Sequence, residues 1–163
     1  MSELRPIRRE SLDFVDRAPL RNHARVVVDA AAADVWPAIA DAPRWAEWFD
    51  GVTEACWTSE SRHGVGATRR VRVSGLTADE VVLAADAEQR FAFAVTACDQ
   101  KALAAMVEVV TLTPLGERTS VDYVQALELA GPARLLGPLV RRRFAQGLRR
   151  GLAGLGAAVA HPR

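Results

Sequence analysis

The sequence predicts an α+β fold in which an antiparallel sheet of about six or seven strands wraps around a long C-terminal helix. Residues 52–129 alternate between apolar and polar side chains and are divided by turn-forming residues, as in consecutive strands. Residues 137–160 instead place large apolar residues every three or four positions, as on one face of a helix. Because one face of such a sheet has to be covered, we expect this helix to cover it.

The segment before the main run of strands predicts one strand and two short helices. Ala24–Val28 is rich in β-branched residues and is predicted to be the first strand. Ala31–Ala40 is predicted to form the first helix. Asp41 is expected to cap the second, which has Pro43 in its first turn and is rich in aromatic residues.

Six further strands are predicted after Gly51. Ser74-Gly75 and Gly116-Glu117 are typical hairpin turns between them. Strands joined by such short turns pair in antiparallel fashion. The predicted strands span residues 52–57, 67–73, 76–85, 90–98, 103–113 and 118–129.

The C-terminal helix, predicted over residues 138–160, has an apolar stripe and a neighbouring stripe of small residues. Each glycine costs a helix about 1 kcal/mol relative to alanine. The segment retains four glycines, at positions 147, 151, 154 and 156, which indicates a close approach by a sheet backbone or a ligand. The apolar stripe comprises Val140, Phe144, Leu148, Leu152, Leu155 and Val159, and the small residues are Gly147, Gly151, Gly154 and Ala158.

The composition is that of a single globular domain. The chain has 163 residues, half of them hydrophobic, and a net charge of +1. We assign residues 1–22 to an N-terminal arm and 23–160 to the domain. Apolar stretches fall short of the ~20 residues that span a bilayer, and no apolar segment follows the basic residues near the N-terminus. We therefore expect a cytoplasmic protein whose Cys56 and Cys98 are reduced.

Charge is distributed unevenly along the chain. No acidic residue follows Glu128, so seven arginines give the C-terminal tail a charge of +7 and leave −6 for the rest. These arginines either form the solvated face of a helix or contact an anionic membrane, phosphate groups or an acidic partner. Phe144 is the only aromatic residue among them, a pattern that does not favour nucleic-acid binding.

One ordered set of short motifs extends over roughly residues 23–160. Its members are Asp34-Val35-Trp36, Ile39-Ala40-Asp41, Trp48, Gly64-Val65-Gly66-Ala67, Leu112-Thr113-Pro114 and Arg118-Thr119-Ser120-Val121. In this set the chain resembles the START-like, or SRPBCC, superfamily, in its polyketide cyclase/dehydrase and lipid-transport branch. The resemblance implies a helix-grip fold with a hydrophobic cavity between a curved sheet and the C-terminal helix. It also implies an apolar or aromatic ligand, without fixing any chemistry.

Alternation within the strands predicts which side chains face such a cavity. Glu108, Tyr123 and Gln125 would then be polar groups in an apolar pocket. There Glu108 would have a raised pKa and could act with Tyr123 in acid–base catalysis. A register slip of one residue would instead turn Glu108 toward water. The predicted ligand-binding residues are Trp48, Phe49, Val71, Val73, Phe91, Phe93, Met106, Val110, Tyr123, Gln125, Leu127, Phe144, Leu148 and Gly151.

The sequence predicts neither a metal site nor a cofactor site. His23, His63 and His161 share no ligand spacing, and the chain has no CxxC motif. Gly64 and Gly66 precede a strand rather than a helix, so they do not form a phosphate-binding loop.

Three functional hypotheses follow. The first is a carrier or sensor for a hydrophobic or aromatic small molecule, of the lipid or polyketide kind. The second is a cyclase or dehydratase acting on a polyketide-like substrate, which requires several polar groups to converge in the cavity. The third is an interaction module whose Arg-rich C-terminal helix docks on a membrane or an acidic protein.

Overall fold

A computed structural model describes residues 3–160 and confirms the predicted helix-grip architecture. A curled antiparallel sheet of seven strands, to which a two-residue strand is added, surrounds the C-terminal helices. The strands are β1 (Arg5–Pro6), β2 (Leu20–Val28), β3 (Val52–Trp57), β4 (Thr68–Val73), β5 (Leu76–Asp86), β6 (Arg90–Cys98), β7 (Leu103–Leu115) and β8 (Arg118–Leu129). The helices are α1 (Phe14–Arg17), α2 (Ala32–Ala40), α3 (Trp45–Trp48), α4 (Gly137–Ala153) and α5 (Leu155–Ala160).

The strand order of the sheet is β2-β8-β7-β6-β5-β4-β3. The hairpin between β4 and β5 turns at Ser74 and Gly75, both of which have positive φ, as a tight two-residue turn requires. Glu108 on β7 pairs with Gln125 on β8 and with Phe93 on β6. This register places several polar side chains side by side on the concave face of the sheet.

The sheet splits between the second half of β6 and the start of β7, and the N-terminal arm fills the split. β6 pairs with β7 only over Arg90–Ala94. Beyond this point β1 pairs with β6, and the Arg8 amide donates to the Ala104 carbonyl at 3.0 Å. Phe14 of α1 is then buried on the convex face of the sheet. The arm therefore completes the hydrogen bonding of the sheet and covers part of its outer surface.

Two short helices close one end of the sheet. The Trp45 and Trp48 indole N–H groups donate to the carbonyls of Ile39 and Ala38, each at 2.9 Å, and lock α3 onto α2. Asp41 occupies the N-cap position of the 3-10 turn Ala42–Arg44 that leads into α3, as expected, but its side chain makes no capping hydrogen bond there. Its carboxylate instead accepts a hydrogen bond from the Trp57 indole at 3.1 Å.

The C-terminal segment forms two helices rather than one, because the chain turns at Gly154 between α4 and α5. Two glycines of the small-residue stripe are approached by α3 and Phe49 rather than by the sheet backbone. A Cβ added to Gly151 would lie 2.5 Å from the Phe49 ring, and one added to Gly154 would overlap the Trp48 carbonyl oxygen. These glycines therefore allow the end of α3 to approach the terminal helices. Gly147, in contrast, has no neighbour within 4 Å of an added Cβ.

Gly154→Ala is expected to destabilise the fold by about 1–3 kcal/mol, because the Trp48 carbonyl is backbone and cannot rotate away. Gly147→Ala is the matched control. It should stabilise the fold by about 1 kcal/mol through helix propensity alone. Urea denaturation measures both changes. Equal stability of the two variants would show that α3 does not press on Gly154.

Candidate functional site

The concave face of the sheet and helix α4 enclose a cavity of about 450 Å³. Its exposed rim includes Gly75 in the β4–β5 turn, Gln100 in the β6–β7 turn, and Arg143 on α4. Its inner end lies against the aromatic rings of α3 and the central strands. Such a cavity has a size and shape suited to a small organic ligand.

One wall of the cavity carries a hydrogen-bonded polar cluster. The Tyr123 hydroxyl donates to one carboxylate oxygen of Glu108, and the Gln125 amide nitrogen donates to the other at 3.0 Å. All three side chains are buried. The cluster forms because these residues lie on the same face of paired strands, where alternation directs their side chains inward.

The pKa of Glu108 is raised from 4.5 to about 7, chiefly by burial and then by the negative charge of Glu80. The hydrogen bonds from Tyr123 and Gln125 oppose this rise by stabilising the ionised form. Burial and the neighbouring Glu108 raise the pKa of Tyr123 well above its ordinary value. At neutral pH the site therefore combines a carboxyl that is close to its pKa with a phenol that stays protonated.

Next to this cluster, Arg69 forms a buried ion pair. Its Nε donates to Glu80 at 2.6 Å, and only 1% of its surface is exposed. The guanidinium carbon lies 4.5 Å from the centre of the Trp45 ring and 4.1 Å from that of Phe93, which adds cation–π stabilisation. Burial raises the pKa of Glu80, and the positive charge of Arg69 opposes that rise.

Two polar atoms of this wall have no hydrogen-bond partner within the described chain. They are Nη1 of Arg69, a donor, and Oε1 of Gln125, an acceptor. A buried polar atom without a partner costs about 1–3 kcal/mol. A ligand or water that offered complementary polar groups would recover part of that cost.

Ten of the predicted site residues line the cavity. They are Phe49, Val71, Val73, Phe93, Met106, Glu108, Tyr123, Gln125, Phe144 and Leu148.

The other five predicted site residues lie outside the cavity lining, where they pack against other parts of the protein. Phe91 and its cross-strand partner Val110 pack at the α2 end, where Phe91 meets Trp36 edge to face. The Trp48 indole is fixed to α2. The last two of the five are Leu127 and Gly151. Leu127 is buried in the cluster around Met106 and Leu129, and Gly151 lies beneath the Phe49 ring.

Sequence reasoning missed the ion pair of Arg69 and Glu80 and the aromatic wall formed by Trp45. The alternation in β4 contained the signal for Arg69, because Arg69 shares a face with Val71 and Val73. A glutamate in a strand is ordinarily a charge on the outer face of the sheet. Glu80 points inward instead, because it alternates with Ala78 on β5.

Within residues 3–160, no group of three or more His, Cys, Asp or Glu side chains is placed to hold a metal ion. The same part of the chain contains no helix that is long and apolar enough to cross a membrane.

A protein-family model matches most of the chain. The family model described as polyketide cyclase / dehydrase and lipid transport matches residues 20–160. Among curated proteins, none matches the chain.

Solved structures share the fold at low sequence identity. A START superfamily protein from Mycobacterium smegmatis has a TM-score of 0.74 and 16% identity, over 86% of this chain and 97% of that one. The protein TTHA0849 from Thermus thermophilus has a TM-score of 0.72 and 20% identity, with the same coverage. The di-domain ARO/CYC BexL from the BE-7585A biosynthetic pathway has a TM-score of 0.72 and 16% identity. Its match covers 86% of this chain and 46% of BexL. These comparisons confirm the START-like fold suggested by the sequence.

Proposed function

Because the chain belongs to the polyketide cyclase/dehydrase and lipid transport family, we propose that it binds a hydrophobic or aromatic small molecule as a carrier or sensor. The observation that carries this proposal is the 450 Å³ cavity, which has mostly apolar walls and one polar patch. Pockets of this kind hold small organic ligands by apolar contact and orient them with a few polar groups. The free donor on Arg69 and the free acceptor on Gln125 favour a ligand with both kinds of hydrogen-bonding group.

The test uses the neutral apolar dye N-phenyl-1-naphthylamine, whose fluorescence rises on transfer out of water. We expect saturable binding with a Kd of about 1 μM, or about −8 kcal/mol. Gly147→Phe should weaken binding at least ~10-fold, because Gly147 lines the cavity, an added Cβ there has no neighbour within 4 Å, and the ring would occupy space that the ligand needs.

The matched control for this test is Gly156→Phe. Gly156 is also a helical glycine with free space around it, but it lies outside the cavity lining. This variant should bind the dye with an affinity within about twofold of the original. Absence of saturable dye binding, or an equal effect of both variants, would contradict the proposal.

The second candidate function is a cyclase or dehydratase acting on a polyketide-like substrate. The observation that favours it is the buried contact between Glu108 and Tyr123, together with the pKa of about 7 of Glu108. A carboxyl that titrates near neutrality can take a proton from a carbon next to a carbonyl and return it elsewhere. The similarity in fold to an ARO/CYC protein is compatible with this chemistry.

Glu108→Gln separates the two candidates, because it removes the titrating proton and keeps the side-chain shape. Dye affinity should stay within about threefold in either case. For an enzyme, turnover of a poly-β-ketone thioester should fall at least ~100-fold. Unchanged turnover, or none in the original protein, would favour the carrier.

A further inference from the structure

Three leucines around the start of helix α4 are exposed to solvent: two end the 3-10 turn Gly131–Leu136 that precedes α4, and the third lies in its first turn. Leu135 is 86% exposed, Leu136 55% and Leu139 66%. They lie within five consecutive positions and form half of the six large hydrophobic residues exposed in residues 3–160. An apolar cluster of this kind marks an interaction site more often than a scattered leucine does.

Arginines continue the same surface toward the C-terminus. Arg142 and Arg143 follow Leu139 by three and four residues, so they lie on the same face of α4, one turn further along. Arg141, Arg142 and Arg143 are all exposed. We define the α4 surface as Leu135, Leu136, Leu139, Arg142 and Arg143.

Within residues 3–160, no acidic side chain forms an ion pair with the arginines of the α4 surface. The tail beyond Glu128 has no acidic residue. Two other arginines of the tail do have partners: Arg134 pairs with Glu128 at 2.8 Å, and Arg150 lies 3.8 Å from Asp50. Arg163, the last arginine, lies outside the described residues.

We propose that the α4 surface docks on an anionic lipid membrane. Exposed leucines can enter the apolar zone just below the headgroups, while arginines next to them contact lipid phosphates. An acidic protein would pair with the arginines equally well. It would not, however, account for the three exposed leucines beside them. Both features together favour a lipid surface.

The α4 surface lies next to the opening of the cavity. Arg143 belongs both to this surface and to the rim of the cavity, and Val140 and Phe144 line the cavity on the adjacent side of α4. Docking would therefore bring the opening of the cavity close to the bilayer. An apolar molecule could then pass between the two with little exposure to water.

The experiment is co-sedimentation of the full chain with two kinds of vesicle. One contains phosphatidylcholine alone, and the other contains phosphatidylcholine with about 30 mol% phosphatidylglycerol. We expect binding to the anionic vesicles only, and weaker binding as salt rises from about 0.05 M to about 0.5 M. Arg142→Gln combined with Arg143→Gln should weaken binding about 25-fold, since each basic residue near such a membrane contributes about fivefold.

The leucines separate a membrane from an acidic protein. Leu135→Ser combined with Leu139→Ser should weaken vesicle binding at least ~10-fold, because both side chains lose their insertion into the bilayer. Matched controls are Val65→Ser, at a valine that is 71% exposed in another turn, and Arg118→Gln, at an exposed arginine of β8. Both should bind like the original protein.

Several outcomes would overturn the proposal. These are no binding to anionic vesicles, equal binding to both kinds of vesicle, or binding that depends on the arginines but not on the leucines. The last outcome would instead indicate an acidic protein partner. Dye binding by the leucine variant checks that the fold and the cavity are intact.

Discussion

Arg69→Met is expected to destabilise the folded protein by about 3–5 kcal/mol, because it leaves the carboxylate of Glu80 buried without its partner. The variant also loses the contacts of the guanidinium with Trp45 and Phe93. Methionine retains much of the side-chain volume, so the loss reports charge rather than a cavity. Urea denaturation at pH 7 measures the change.

The neighbouring pair of Arg70 and Asp79 provides a matched control. It joins the same two strands at 2.7 Å, but its side chains are 46% and 30% exposed. Arg70→Met should therefore cost less than about 1 kcal/mol. Arg69→Met combined with Glu80→Met should recover most of the stability lost in the single variant, because no charge then remains unpaired. If Arg69→Met costs no more than Arg70→Met, the buried pair does not have the role assigned to it.

The free energy of unfolding is expected to fall by up to about 3 kcal/mol between pH 5 and pH 8 through Glu108 alone. Its pKa is 4.5 as an ordinary glutamate and about 7 in the folded protein. Between these values the folded state holds the proton more tightly than the unfolded chain does. Raising the pH through this window therefore removes stability, opposite to the usual behaviour of an ion-paired carboxylate.

Glu108→Gln should flatten this part of the pH profile, because glutamine does not titrate. The control, Glu117→Gln, lies in the exposed turn between β7 and β8 and should retain the profile of the original protein. Chemical denaturation at several pH values provides both profiles. A profile of Glu108→Gln parallel to that of the original protein would mean that the carboxyl keeps an ordinary pKa.

Most of the sheet could be predicted because its pattern is local. The strands from β3 to β8 each have alternating side chains and a recognisable turn, and their bounds agree with the structure to within about two residues. The short strand β1 could not be found, since Arg5 and Pro6 have little strand propensity and pair with a distant part of the chain. The break at Gly154 was also missed; the Trp48 carbonyl lies where a Cβ of residue 154 would be, and this contact depends on tertiary structure.

The candidate site was harder to predict than the fold. Alternation indicates that Glu108 and Tyr123 share a side of the sheet, but it contains no information about the hydrogen bond between them. Arg69 was overlooked because a charged residue in a strand is more often exposed. What makes its burial tolerable is Glu80 from the next strand and two aromatic rings from elsewhere. Such compensation depends on tertiary structure.

The N-terminal arm constrains the order in which the chain can fold. Its partners on β6 and β7 are about ninety residues away, so the arm leaves the ribosome long before the groove that receives it exists. Contacts between such distant residues require closure of a long loop and form slowly. The arm is therefore synthesised well before its partners and is among the last segments to reach its final place. Until then, the split in the sheet leaves unpaired backbone groups that another chain could occupy.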